Sequence, residues 1–154
     1  MKIAGQHPAL PRSDEVLLLV DVISSFRFPG GAALARQALP VARAIQRLKQ
    51  SLQARGVPAI HANDNEGRWH ARFDALQVQH RTQDKLAAEI AQRLVLVGLS
   101  TDFCIQFTAM DACLRGCALH IPGDCTATLD PRHKRASLAY MRRVLKADTR
   151  RSGA

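Results

Sequence analysis

Cys104 is the residue in this sequence best placed to do covalent chemistry. It follows the apolar run LVLV within Arg93–Val97, which predicts a buried strand, and then a turn. Ser100 or Thr101 is expected to cap the helix that comes next, so that Cys104 falls in its first turn. Unpaired N–H groups and the helix dipole favour a thiolate there, although the charge of Asp102 opposes a second anion. Cys104 is therefore either a nucleophile or a small buried apolar residue.

Asp21 is the acid that would serve such a nucleophile. It lies at the end of a second apolar run, EVLLLVDV (Glu15–Val22), which predicts the first buried strand. An ionisable group at the end of a core strand costs free energy unless it is paired or functional. If the strands before Asp21 and Cys104 are neighbours in one sheet, a base and a thiol meet in one cleft.

Alternating strands and helices must position these two residues. The pattern predicts a single α/β domain over residues 1–154, in which a parallel sheet lies between two layers of helices. Ligands bind such sheets beyond the C-terminal ends of the strands. An extended arm is expected at residues 1–14 and a basic tail at 147–154. The other predicted elements are a helix over Ala32–Arg55 in two pieces with Pro40 opening the second, strands at Val57–Ala62 and Cys117–Ile121, a weak edge strand within Arg72–Gln79, a helix from Thr82, and a last helix from Pro131.

Composition narrows the class of protein. The chain is 47% hydrophobic and 23% charged, as in ordinary globular proteins. No apolar run approaches the roughly 20 residues that a membrane helix needs, and the first residues lack an export signal, so a cytoplasmic protein is expected. The four cysteines form no CxxC pair, which indicates free thiols and no zinc site.

The net charge of +9 raises the question of a nucleic-acid partner. The arginines are spread over the whole chain, and one tyrosine and one tryptophan offer no platform for stacking bases. The densest basic cluster, Arg142 to Arg151, is expected to be a solvated helix end. The sequence thus argues against nucleic acid as the main partner.

Three segments resemble the isochorismatase-like cysteine hydrolases, which include nicotinamidases and N-carbamoylsarcosine amidases. They are LLLVDVISSF (Leu17–Phe26), NDNEGRW (Asn63–Trp69) and, most specifically, VGLSTDFCIQFTAMDACLRGCALHIPGDCTAT (Val97–Thr128). The resemblance implies a three-layer α-β-α fold with a central parallel sheet of strand order 3-2-1-4-5-6. That order places strand one beside strand four, the adjacency that Asp21 and Cys104 require.

The resemblance also implies roles for individual residues. Cys104 would be the nucleophile and Asp21 the base that takes its proton. A cis peptide would join Leu99 and Ser100, and the backbone N–H groups of Ser100 and Cys104 would form an oxyanion hole. The implied reaction is hydrolysis of an amide-type C–N bond in a small molecule through a thioester, without a cofactor. The family also suggests a homo-oligomer.

The chain departs from the family at its catalytic lysine. The segment LQVQH (Leu76–His80) stands where the family carries that lysine, so glutamine occupies the position. Lys85 is the nearest substitute in sequence. Without a lysine Cys104 loses a cation that would lower the pKa of its thiol. The alternative is therefore a catalytically degraded member of the family with a binding role.

Two further features concern the surroundings of the site. The Asp/His cluster with which nicotinamidases bind a metal is not reproduced near His61, Asp64 and His70, so no metal is expected. Phe26, Trp69 and Phe103 are candidates for the aromatic walls of a substrate pocket. As isolated aromatic residues they are equally consistent with ordinary packing.

Overall fold

The structure is a computed structural model that describes residues 13–62 and 92–153. Predictions that concern Trp69, Leu76–His80 and Lys85 lie outside the described residues, as do those for the N-terminal arm up to residue 12. Within the described ranges, none of the helices is both long and apolar enough to cross a membrane.

A parallel sheet forms the centre of the described part. Its strands are β1 (Glu15–Val20), β2 (Ala59–Ala62), β3 (Arg93–Leu99), β4 (Ala118–His120) and β5 (Thr126–Ala127). The order is β2-β1-β3-β4, and every pairing is parallel. The first half of β3 pairs with β4, whereas Gly98 and Leu99 at its end pair with β5. Because β1 and β3 are central and covered on both faces, they are continuous apolar runs.

Helices cover both faces of this sheet. They are α1 (Gly31–Ala54), α2 (Gln106–Leu114) and α3 (Pro131–Val144). On one face Leu17 and Val97 pack with α1, and on the other Leu18 and Leu96 pack with residues of α2 and α3. The predicted three-layer α/β architecture is confirmed.

The predicted break of the first helix at Pro40 is wrong. The helix α1 is continuous over 24 residues with Pro40 inside it. The apolar face expected from helical spacing, which includes Val41, Ile45 and Leu48, is buried, and so is Leu34 in the preceding half. Both halves therefore pack on the same face of the sheet, while Pro40 lies on the exposed side. This packing outweighs the loss of one backbone hydrogen bond.

The segment after α3 folds back onto the sheet. Asp148 forms a parallel bridge with His120: the Ile121 N–H donates to the Asp148 carbonyl at 2.7 Å, and the Asp148 N–H donates to that of Leu119 at 2.8 Å. Further on, the backbone N–H and the hydroxyl of Ser152 both donate to the Asp124 carboxylate at 2.8 Å. The helix thus ends at Val144, and the basic residues beyond it belong to a docked segment instead of a solvated helix end.

Candidate active site

The neighbouring strands β1 and β3 bring the candidate residues to one edge of the sheet. Val20 pairs with Gly98 in the parallel register. A Cβ on residue 98 would overlap the carbonyl oxygen of Val20, and the φ of Gly98 is +127°, so only glycine fits this close approach. Gly98 lies within β3, beyond the apolar run that predicted this strand. The adjacency that Asp21 and Cys104 require is present.

Asp21 leaves the sheet at the end of β1. Its N–H donates to the carbonyl of Ala62 at 2.8 Å, which continues the pairing with β2. Its φ is 48°, in the left-handed region that residues other than glycine adopt at a cost. This conformation ends the strand and turns the chain into the loop that carries Phe26.

The turn after β3 has an unusual backbone. The Leu99–Ser100 peptide bond is cis, and Thr101–Ile105 forms a single π-helical turn that leads into α2. The Ser100 carbonyl accepts N–H groups from Phe103 at 3.2 Å and Ile105 at 3.1 Å. The predicted side-chain cap is wrong, because the Ser100 hydroxyl donates to the Asp102 carboxylate at 3.0 Å and makes no cap hydrogen bond.

Cys104 lies within this π-helical turn. It is half-buried and packs against the core formed by residues such as Ile105 and Ala109. Its neighbour Phe103 is 62% exposed and meets Phe107 edge to face at 5.1 Å between ring centres. No disulfide bond links the four cysteines, of which Cys104 and Cys113 are half-buried.

An open cavity of about 570 Å³ lies beyond the C-terminal ends of the strands. Among the predicted site residues, Asp21, Phe26, Ser100 and Phe103 line it. Cys104 is in the same turn as Ser100 and Phe103 but is not one of the lining side chains. The structure thus brings together the predicted base, one of the two residues predicted for the oxyanion hole, and two of the three predicted aromatic walls. A ligand that fills the cavity contacts all four.

The side chains of three other residues contact Asp102 in this cavity. Its Oδ1 accepts from the hydroxyl of Ser100 at 3.0 Å and from that of Thr128 at 2.5 Å, and its Oδ2 lies 3.5 Å from Nδ1 of His133. Burial acts to raise the pKa of Asp102, but the hydrogen bonds from Thr128 and Ser100 outweigh it and the net pKa is lowered. Asp102 is therefore a carboxylate at neutral pH.

Sequence reasoning missed Thr128 and His133 as residues of the cavity. Thr128 is 26 positions from Asp102 and reaches it because the two-residue strand β5 pairs with the end of β3. His133 follows in the first turn of α3. Two residues are too few for a local strand pattern, so no signal in the sequence pointed to this contact.

The described part of the chain places no lysine at the cavity and contains no cluster of side chains suited to a metal. Of Lys49, Lys134 and Lys146, none lines the cavity in the described ranges. Lys134 is the most enclosed; its Nζ donates to the Thr126 carbonyl at 2.6 Å, and burial lowers the pKa of its ammonium group. No cluster of three or more histidine, cysteine or acidic side chains suited to a metal occurs among residues 13–62 and 92–153.

A parallel sheet between helices, with a cavity at the ends of its strands, defines a doubly wound α/β protein. Residues 72–149 match the isochorismatase domain, and the chain belongs to the isochorismatase family of hydrolases. An uncharacterized isochorismatase family protein, YaaI of Bacillus subtilis (strain 168), is 26% identical over 171 residues, which cover 90% of this chain and 94% of YaaI.

Two solved structures share the fold. Nicotinamidase PncA from Bacillus subtilis superposes with a TM-score of 0.64 at 20% identity, over 90% of this chain and 99% of that one. N-carbamoylsarcosine amidase from Thermoplasma acidophilum superposes with a TM-score of 0.60 at 18% identity, over 92% of this chain and 98% of that one. The chain therefore spans nearly the whole length of both neighbours.

Proposed function

We propose that this protein is a cysteine hydrolase that cleaves an amide-type C–N bond in a small molecule, with Cys104 as the nucleophile and Asp21 as its base. The observation that carries the proposal is that Asp21 and Ser100 line one cavity at the ends of two adjacent strands. Cys104 lies in the turn that Ser100 begins. Membership of the isochorismatase family supports hydrolysis as the class of reaction.

The proposed reaction has two halves. Asp21 takes the thiol proton of Cys104, and the sulfur attacks the carbonyl carbon of the substrate. The oxyanion that forms accepts hydrogen bonds from the backbone N–H groups of Ser100 and Cys104. The C–N bond then breaks, the amine leaves with the proton, and a thioester remains. Water attacks the thioester as Asp21 takes its proton. The C–S bond then breaks, the proton returns from Asp21 to the Cys104 sulfur, and the acid product is released.

The walls of the cavity favour a small substrate with an apolar or aromatic body. Phe26, Phe28 and Phe103 contribute rings, and Leu99 lies beside Ser100. A volume of about 570 Å³ falls in the ordinary range for small-molecule sites. Trp69 is proposed as a further wall, and Lys85 as the cation that would assist Cys104.

The test measures ammonia release from nicotinamide, N-carbamoylsarcosine and a panel of other primary amides. Cys104→Ala is expected to abolish any turnover that the wild type shows. Cys113→Ala is the matched control, because Cys113 is half-buried like Cys104 but lies near the end of α2, away from the turn that begins at Ser100. In parallel, iodoacetamide is expected to alkylate Cys104 at neutral pH faster than Cys113. Equal alkylation rates would show that Cys104 is not activated.

A degraded family member with a binding role is the second candidate. The observation that favours it is that no lysine of residues 13–62 or 92–153 lines the cavity. In that case an amide would raise the melting temperature of the protein without being hydrolysed, and Cys104 would alkylate no faster than Cys113. Turnover that is lost in Cys104→Ala excludes this candidate.

The quaternary structure and location expected from the sequence are also part of the proposal. The family resemblance supports a homo-oligomer, which sedimentation equilibrium of the purified chain tests. A single species at 16.9 kDa would contradict it. A fluorescent fusion examined in cells tests the cytoplasmic location.

A further inference from the structure

We infer that Asp102 is a positioning residue: its carboxylate fixes Ser100 so that the Ser100 backbone can bind the oxyanion. The inference rests on the proposed function, in which that backbone N–H stabilises the developing charge. Asp102 does not touch the reacting atoms in this scheme. It acts through Ser100, and the structure supports this role by four observations.

The first observation is that three of the chain segments around the cavity meet at this one carboxylate. Ser100 follows β3, Thr128 follows β5, and His133 belongs to the first turn of α3. All three side chains face Asp102, at 3.0, 2.5 and 3.5 Å respectively. A carboxylate that accepts two hydroxyl groups on one oxygen and faces an imidazole with the other ties these segments together.

The second observation is that Ser100 is held at two separate points. Its carbonyl oxygen accepts the N–H groups of Phe103 and Ile105, and its hydroxyl donates to Asp102. A residue fixed at both its carbonyl and its side chain has little freedom to rotate its own N–H. Preorganised donors are what makes an oxyanion hole effective, since they need no reorganisation during the reaction.

The third observation is a second contact, which supports the fold of the turn independently of Asp102. The hydroxyl of Thr101 donates to that of Thr126 at 3.0 Å, and both residues are fully buried. This contact already joins the π-helical turn to β5. The contact between Asp102 and Thr128 joins the same two segments a second time. Asp102 and Thr128 both line the cavity. Folding of the turn therefore has another support, and the additional contact lies where a substrate would bind.

The fourth observation concerns charge. A bare carboxylate two residues before Cys104 would oppose a thiolate. Here the charge of Asp102 is shared by the hydroxyl groups of Ser100 and Thr128 and faces His133. These contacts reduce its repulsion of a neighbouring anion, so Asp102 can stand beside the nucleophile.

Two chemical probes of Cys104 separate positioning from activation. Pyridine-3-carbaldehyde adds reversibly: a bond forms between the sulfur and the carbonyl carbon, and the carbonyl oxygen becomes an oxyanion that takes up the proton released by the thiol. Iodoacetamide alkylates the sulfur: a C–S bond forms, iodide leaves, the thiol proton goes to solvent, and no oxyanion is created. The aldehyde therefore reports the oxyanion hole and the thiolate together, whereas iodoacetamide reports the thiolate alone.

The experiment compares both probes across a set of variants. Asp102→Asn and Thr128→Val are expected to weaken aldehyde binding about tenfold or more, because a displaced donor stabilises the oxyanion less. Their iodoacetamide rates at Cys104 should change by less than about threefold. Thr128→Ser keeps the hydroxyl and should restore aldehyde binding. Asp111→Asn is the matched control, since Asp111 is an acid on the surface of α2 that pairs with Arg115, and it should change neither value.

The outcomes distinguish the inference from the proposed function. If the wild type binds the aldehyde and Asp102→Asn binds it equally well, only the inference about Asp102 is wrong. A parallel loss of aldehyde binding, alkylation rate and melting temperature, without rescue by Thr128→Ser, would show a purely structural role and also overturn it. If wild-type Cys104 reacts with neither probe, the nucleophile itself is misassigned and both proposals fail.

Discussion

Val20 and Gly98 stand opposite each other in β1 and β3, and the Val20 carbonyl oxygen fills the space that a Cβ on residue 98 would need. This close approach determines where the two following segments begin. Asp21 comes directly after Val20, and Ser100 comes two residues after Gly98. Both therefore reach the same edge of the sheet and line the same cavity. The absence of a side chain at position 98 is a condition for the site.

Gly98→Ala is expected to destabilise the protein by at least about 2 kcal/mol, because it adds a steric overlap to an unfavourable φ. Urea denaturation followed by circular dichroism measures the loss. Gly116→Ala is the matched control: its φ is +83°, but a Cβ there meets no atom within 4 Å. It should cost only about 1 kcal/mol, the backbone part alone. Equal losses in the two variants would mean that the overlap at Gly98 is relieved by movement of β1.

The buried hydroxyl pair of Thr101 and Thr126 supports a double-mutant cycle. Thr101→Val and Thr126→Val are each expected to cost about 1–3 kcal/mol, because each leaves the partner hydroxyl buried without its hydrogen bond. In the double variant neither hydroxyl remains, so its loss should be smaller than the sum of the single losses. Urea titrations measure the free energy of unfolding for the wild type, the two single variants and the double variant. Simple additivity would show that water satisfies the remaining hydroxyl.

The lowered pKa of Asp124 predicts how the free energy of unfolding depends on pH. Burial acts to raise its pKa, but the hydroxyl and N–H of Ser152 outweigh burial and lower the pKa below the ordinary value of 3.8. A folded pKa below the unfolded one stabilises the folded state above the unfolded pKa. That stabilisation is lost as the pH falls through the folded pKa. Urea denaturation at a series of pH values from 7 down to 2.5 should show this acid loss.

Ser152→Ala tests the assignment. It removes the hydroxyl that donates to Asp124, so the variant should be less stable at pH 7 and lose less stability on acidification. Ser51→Ala, on the exposed side of α1, is the control and should follow the wild-type curve. If Ser152→Ala keeps the full acid dependence, Asp102 or another carboxylate with a lowered pKa is responsible instead.

Pro40→Ala is expected to stabilise the protein by up to about 2 kcal/mol. Proline inside a helix costs roughly 3 kcal/mol relative to alanine, and about 1 kcal/mol of that is offset by its stiffening of the unfolded chain. Pro40 is exposed and α1 is continuous around it, so alanine creates no cavity. Thermal denaturation should show a higher melting temperature, whereas Gln37→Ala on the same exposed side should leave it nearly unchanged. A lower melting temperature for Pro40→Ala would mean that the proline ring packs favourably.

The elements that the sequence predicts correctly are those with strong local patterns. The runs of apolar residues in β1 and β3 predict strands covered on both faces, and the apolar spacing in α1 predicts its buried side. The start of α3 at Pro131 agrees with its structure, in which the Asp130 side chain accepts the N–H of Arg132. These features depend on residues close together in the chain, so they are visible without the fold.

What the sequence leaves hidden depends on contacts between distant segments. The end of β3 extends to Leu99 because β5 pairs with it, and β5 is only two residues long. The helix α1 continues through Pro40 because both of its halves pack on one sheet. The partners of Asp102 depend on the same distant pairing. Its charge looked unfavourable for Cys104 in the sequence because Thr128 and His133 were not visible as its neighbours.

The docked segment after α3 has a consequence for the order in which this protein is built. Residues 147–152 pair beside β4 and contact Asp124, which lies two residues before β5. Thr128 directly follows that strand. During synthesis the ribosome releases Cys104 and Asp21 well before these residues. The contacts of Asp124 with Ser152 can therefore form only after the docked segment has emerged, and a nascent chain that stops at α3 would carry Cys104 and Asp21 without those contacts.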